Sequence, residues 1–334
     1  MTRRERVIAA LRFEKTDFIP YQINFTGQMR DKMRAFAGEG FFEKIDNHLY
    51  QIDLSKPSVD LGNQRSMDEY GVIWNKSGVD KDIGVVEEYL IGDPEDPIVL
   101  PPVDAEFIRG QMKRLDREAG DRFRIAGIGF SLFERAWTLR GMENLLCDMI
   151  AEPEFVHELL GKITERNLAL IDLALESDFD GFYFGDDWGQ QQGLIMGPQC
   201  WRAFIRPCLE KMYGRVRAAG KFVLQHSCGD IREVMDDLYE IGLNAYNTFQ
   251  PEIYGYGYAP RIYGRIAIWG GLSTQRDLPF DTPEEIRKVT RELLAAFPRG
   301  GLIAAPTHDI PGDAIPENVI AMWEVFEEQK KRAL

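Results

Sequence analysis

The chain of 334 residues is long enough for one large domain or two ordinary ones. Hydrophobic residues at 44% against 28% charged give a soluble globular balance with enough apolar surface for a substantial core. A formal charge of −14 excludes polyanion binding, so nucleic acid and anionic membranes are not expected partners. Cationic or neutral small molecules, or a basic patch on another protein, are compatible with it.

Residues 1–17 read as an N-terminal helix: Thr2 and Glu5 have capping-box spacing, and Val7, Ile8, Leu11 and Phe13 share one stripe. This opening is amphipathic, without the apolar run of a signal peptide, and nothing in the chain reaches membrane-span length. Residues 18–25, which include Asn24, read as a first strand. Residues 28–70 read as helical and irregular, with Met29, Met33 and Phe36 as an apolar face. Strand-like pieces at 72–74 and 83–88 precede a proline-rich loop through Pro101 and Pro102.

A regular rhythm follows. Apolar strands at 124–129, 181–185, 222–226, 244–248, 266–269 and 302–305 alternate with helices. One helix is opened by Asp281 and Thr282 with Pro283 in its first turn, and a last one starts at Pro316. Alternation of this kind indicates a parallel α/β sheet, and the strand count is compatible with eight. A closed (β/α)8 barrel and an open doubly wound sheet both accommodate it. No glycine-rich phosphate loop follows the first strand, which favours the barrel. No repeat, low-complexity tract or linker divides the chain, so residues 1–334 read as a single domain. The four cysteines, Cys147, Cys200, Cys208 and Cys228, form no CxxC pair, which points to a reducing, cytoplasmic setting.

The polar residues fall in a pattern. Asp186 and Asp187, His226 and Cys228, Gln250 and Glu252, and His308 with Asp309 each lie just past a strand's C-terminal end. In a barrel that is the face where catalytic groups converge. Side chains two apart on a strand point the same way, so His226 and Cys228 aim an imidazole and a thiol into one pocket, the two donors zinc prefers. The plainer reading is that buried cysteines are packing residues, and that Asp230 and Asp309 are helix N-caps. Elsewhere, His48 reads as a surface residue near a turn and His157 as an exposed mid-helix residue. Packing is expected for Cys147, Cys200 and Cys208, and a solvated helix face for Arg202, Arg206, Lys211, Arg215 and Arg217. The loop with Tyr254, Tyr256, Tyr258 and Tyr263 is either a lid over a flat or cationic ligand or a packed crossover.

Several of these runs are similar to one family. They are Arg4 to Leu11 with Asp17-Phe18-Ile19-Pro20, Gly185-Asp186-Asp187, His226-Ser227-Cys228-Gly229-Asp230, Ala305-Pro306-Thr307-His308 and Pro316-Glu317-Asn318. Over nearly its whole length the chain resembles the uroporphyrinogen decarboxylase superfamily, which includes corrinoid-dependent methyltransferases. The resemblance implies a (β/α)8 barrel. The decarboxylase proper carries an arginine-rich segment after its first strand that binds propionates. Here residues 22–30 hold only Arg30 and no Arg-x-x-x-Arg pair. The methyltransferase branch binds zinc through H-x-C and a later cysteine. His226 and Cys228 match, and His308 stands where that cysteine would be.

The resemblance thus implies a zinc enzyme exchanging a methyl group between a corrinoid (methylcobalamin) carried by a partner protein and a small substrate. That substrate is a thiol acceptor, or a methyl donor such as a methyl ether or methylamine. His226, Cys228 and His308 would hold Zn2+. Asp186 or Asp187 would ligate, orient a ligand or move a proton, and Asn24, Gln250 and Glu252 would contact substrate. Imidazole in place of thiolate makes such a site one charge more positive. Decarboxylation of a tetrapyrrole, with Asp186 or Asp187 holding pyrrole N–H groups, and non-catalytic binding of a corrinoid or small ligand are the alternatives. A homodimer is compatible with each.

Overall fold

The computed structural model describes residues 1–78 and 84–333. Seven parallel strands follow one another around a curled sheet: β1 (Leu49–Asp53), β2 (Phe123–Ile128), β3 (Gly181–Gly185), β4 (Phe222–His226), β5 (Ala245–Phe249), β6 (Ala267–Leu272) and β7 (Leu302–Pro306). The eighth position is filled by the irregular segment around residues 20–25. On one side Gln22 N–H donates to Ala304 O at 3.0 Å, and Ala304 N–H donates to Pro20 O at 2.9 Å. On the other, His48 N–H donates to Tyr21 O, while the Asn47 and Gln22 side chains accept from Ile23 N–H and Leu49 N–H. Side-chain amides thus complete part of the ladder in place of backbone carbonyls. The expected barrel is therefore present, closed by an irregular eighth segment in place of the regular 18–25 strand.

Strand alternation sorts the core into two clusters. Leu49, Phe123, Ile125, Leu224, Ala245, Ala267, Trp269, Ile303 and Ala305 fill the barrel, and Val7 and Leu11 join them. These two come from α1 (Arg3–Leu11), which plugs the bottom. Its capping box is made as expected, with Glu5 N–H on Thr2 Oγ1 and Thr2 N–H on Glu5 Oε2. The helix ends at Leu11, short of residue 17. The second, larger cluster lies between the sheet and the helices outside it.

The 28–70 stretch departs most from its reading. Helix α2 (Gly27–Ala37) buries Met29 and Met33 but leaves Phe36 exposed, and the barrel strand β1 follows. Its inward residues are Leu49, Gln51 and Asp53. The latter two face a polar cavity, so the apolar signature of a barrel strand is missing. Strands at 59–62, 65–67, 73–75 and 85–86 form a four-stranded antiparallel sheet beside the mouth. Of the expected 83–88 strand, Ile83 lies outside the described residues.

His48 is not a surface residue: it is fully buried, its ring against Phe18 and Tyr21. Arg6 donates to its Nε2 at 3.1 Å, and burial followed by that guanidinium pulls its pKa down to about 4. His157 is exposed as expected and Cys208 is buried, but Cys147 is exposed. The arginine face is pinned to its neighbours, with Arg202 and Arg206 on Asp237, Arg206 on Glu240 and Arg215 on Asp172. The tyrosine loop is a packed crossover: Tyr254 stacks on Phe249 and donates to Gly229 O, and Tyr256 donates to Gly271 O. Among the described residues, no helix is long and apolar enough to cross a membrane.

Candidate functional site

Counting by twos from the apolar floor of the barrel names the residues at its mouth. Tyr183 points inward on β3, so Gly185 and Asp187 follow it in and Asp186 turns out. On β4 the inward series is Leu224, His226, Cys228. On β5 it reaches Asn247, which lies in register with His226, as does Gly185 on the other side.

Asp186 and Asp187 consequently part company. Asp186 is fully buried and accepts backbone N–H bonds from Leu132 (3.1 Å), Phe133 (3.0 Å) and Glu134 (2.8 Å). The Trp188 indole N–H also donates to it, at 2.5 Å. These are the free donors at the start of α3 (Phe133–Arg140), so Asp186 caps that helix from the neighbouring strand. Burial raises its pKa to about 6 against the pull of those four donors.

Asp187 turns to the mouth. Its Oδ1 accepts the Cys228 N–H at 2.7 Å and lies 3.5 Å from His226 Nε2. Cys228 Sγ is 3.6 Å from the same nitrogen. One ligand atom from each of Asp187, His226 and Cys228 lies within 4.8 Å of the others. The close approach is built by glycine. Gly229 sits at φ +80°, where a Cβ would meet Gly189 C at 2.2 Å, so the loops after β3 and β4 touch backbone to backbone. Asp230 N–H bonding to Gln190 O seals that contact.

The donor set fits a metal. A tetrahedral zinc with its usual Zn–S and Zn–N lengths separates sulfur from nitrogen by about 3.6 Å, and nitrogen from oxygen by about 3.3–3.5 Å. Both agree with the distances here. His226 Nδ1–H donates to Asn247 Oδ1 at 2.6 Å, and Asn247 Nδ2 donates to Trp269 O at 2.8 Å, which fixes the amide so that its oxygen faces the ring. That leaves Nε2 as a lone pair toward Cys228 and Asp187. Burial lowers the His226 pKa, keeping the imidazole neutral as a ligand must be. Burial first, and then the Asp187 carboxylate, push the Cys228 thiol well up, so only a cation beside it would hold a thiolate there.

His308 adjoins this triad without belonging to it. It is exposed, and its ring meets His226 edge-on with centroids 5.6 Å apart. It lines a cavity of about 360 Å³ over the barrel interior together with His226, Asn24, Gln51, Asp53, Tyr183, Asn247, Trp269 and Asp309. A second cavity of about 520 Å³, walled by the antiparallel sheet, shares Gln51 and Asp53 with it.

Of the expected substrate contacts, Asn24 lines the cavity. Gln250 and Glu252 do not. Gln250 accepts from Gly229 N–H at 2.7 Å and so shapes the β4 loop, and both Glu252 carboxylate oxygens are buried without a hydrogen bond. Asp230 caps the turn at Arg232 N–H, whereas Asp309 faces the cavity and is no cap. Sequence reasoning missed Asn247, Tyr183 and Trp269, which the same inward count would have found, and Gln51 and Asp53, which lie on the unrecognised strand β1. It also missed Glu134, whose pKa is pushed up by burial and then by the nearby Asp187 and Asp186 carboxylates. No spacing signal marks that residue.

The model of the family described as "Uroporphyrinogen decarboxylase (URO-D)" matches residues 77–329. The uroporphyrinogen decarboxylase of Methylococcus capsulatus is 23% identical over 261 residues, covering 73% of this chain and 69% of that protein. That of Chlorobium limicola is 24% identical over 262 residues, covering 71% and 69%. Among solved structures, a methyltransferase from Methanosarcina mazei has 18% identity, covers 98% of this chain and 99% of its own, and superposes with a TM-score of 0.73, which supports the barrel. With three quarters of its length under the family model and its donors at the strand ends of that barrel, the chain belongs to the uroporphyrinogen decarboxylase family of enzymes.

Proposed function

We propose that this protein is a zinc-dependent methyltransferase that exchanges a methyl group between a corrinoid carried by a partner protein and a small substrate. One observation carries the reading: Asp187, His226 and Cys228 present oxygen, nitrogen and sulfur at zinc-ligand separations, with the imidazole tautomer fixed by Asn247. Zinc, when bound, supplies Lewis acidity that stabilises a thiolate or draws electron density from the heteroatom bearing a methyl group.

The chain's own groups do the rest. Asn247 orients His226, and the Cys228 N–H fixes the Asp187 carboxylate. Tyr183 and Trp269 wall the space over the site. His308 stands where it can close or leave free a fourth ligand position. With Asp187 rather than His308 as third ligand, the donor set carries the same formal charge as one histidine and two cysteines. A carboxylate oxygen donates less density than a thiolate, so the metal is still the stronger electrophile, which suits activation of a methyl donor.

Tetrapyrrole decarboxylation is the second reading, supported by the names of the curated relatives. The cavity beside the triad speaks against it. Among the described residues no lysine or arginine lines that cavity, and an octacarboxylate substrate needs several. The test is metal analysis of protein purified without added zinc, followed by methyl transfer from a panel of methyl ethers and methylamines to a reduced corrinoid. About one zinc per chain, lost in Cys228→Ala, with transfer from one donor class, supports the proposal. A metal-free protein that decarboxylates uroporphyrinogen refutes it.

A further inference from the structure

The cavity beside the triad has an unusual charge balance. Two carboxylates, Asp53 and Asp309, and two aromatic residues, Tyr183 and Trp269, line it. The two rings meet edge to face with centroids 5.8 Å apart. The cations nearby are engaged elsewhere. In the adjoining cavity Lys56, Arg114 and Arg135 each pair with a carboxylate of their own, Asp104, Glu118 and Asp68. An outer groove of about 570 Å³ holds Arg3, Arg30 and Arg122 and shares only Asn24 and Asp309 with the cavity. Arg30 lies over the Phe42 ring at 4.4 Å, and no ion pair joins it to Asp309 among the described residues.

Loading the triad with zinc does not reverse this balance. The divalent charge is matched by the Asp187 carboxylate and the Cys228 thiolate, so Asp53 and Asp309 remain as a net negative lining. Among the described residues Asp53 bonds only Ser55, through its N–H and its side chain, and Asp309 has no hydrogen bond there. Both are free to face a ligand. An anionic substrate would meet these carboxylates with no compensating cation among the described lining residues, at a cost of several kcal/mol. A small methylated cation meets two carboxylates and two aromatic side chains, the pair of features by which quaternary ammonium groups are recognised.

From this we infer that the small substrate is a methylated ammonium compound, seated in the cavity lined by Asp53, Asp309, Tyr183 and Trp269 with a methyl group toward the triad. The location relative to the chemistry rests on the methyl-transfer reading above; the choice of a cation does not. Calorimetric titration of the whole protein, zinc-loaded and zinc-stripped, with choline and with its neutral isostere 3,3-dimethylbutan-1-ol separates charge from shape. Choline should bind at least about tenfold more tightly than the isostere. Asp53→Asn and Asp309→Asn should each erase most of that preference, with melting temperatures unchanged, and added salt should weaken choline alone. Equal or tighter binding of the neutral isostere, a preference that survives both substitutions, or no binding of either compound overturns the inference. Because no corrinoid or turnover is involved, choline binding by a protein that proves zinc-free would refute the methyltransferase reading and leave this one standing. A zinc-bound protein that ignores choline would do the reverse.

Discussion

Two walls of one barrel mouth use the same residue types in opposite ways. On the wall built by β3 and β4, Asp186 binds four N–H donors, Asp187 takes the Cys228 N–H, and His226 is held by Asn247. Those groups are positioned before any ligand arrives. On the wall built by β1 and the loop after β7, Gln51 and Asp309 have no side-chain hydrogen bond among the described residues, and Asp53 bonds only Ser55. The first wall is suited to gripping an ion in one geometry, and the second to meeting a ligand that brings its own polar groups.

The largest expected effect falls on the rigid wall. Asp186→Ala would orphan three backbone N–H groups and an indole N–H, at a cost of at least about 4 kcal/mol in chemical denaturation. Its neighbour should behave differently: Asp187→Ala should fold normally yet lose more than about a hundredfold in zinc affinity by chelator competition. His308→Ala should lose much less. If His308→Ala releases the metal and Asp187→Ala does not, the two residues exchange roles and the comparison must be redrawn. A smaller effect is expected at Asn247→Leu, where a freed imidazole lowers zinc affinity about 10–100-fold while Asn247→Asp retains most of it.

The smallest effect lies away from the mouth. His48 is neutral when folded, with its pKa pulled to about 4 from an ordinary value near 6.5. The unfolded chain therefore binds the extra proton between those values. The stability this gives is fully present above pH of about 6.5 and is lost as pH falls toward 4, by at most about 1.4 kcal/mol per pH unit. His48→Gln should flatten that slope in denaturation midpoints measured across the range; an unchanged slope assigns it elsewhere.

The sequence carried the rhythm of strands from residue 124 to 305 and the His226/Cys228 pair, because those strands are apolar on both faces and end on polar side chains. It carried the barrel's bottom plug, overextending only its end, and β1 not at all, since Gln51 and Asp53 face a polar cavity and remove the apolar pattern that marks a strand. Choosing between Asp186 and Asp187 needed only the inward count from Tyr183. Preferring Asp187 to His308 needed distances, because a strand end that carries a good ligand does not show how far its loop leads that ligand from the next strand.

X-ray absorption at the zinc edge, on substrate-free protein, tests the triad most directly. One sulfur at about 2.3 Å with two or three nitrogen or oxygen neighbours at about 2.0–2.1 Å is the shell that Asp187, His226 and Cys228 predict. Two sulfurs, no sulfur, or no zinc in the protein as purified would contradict it.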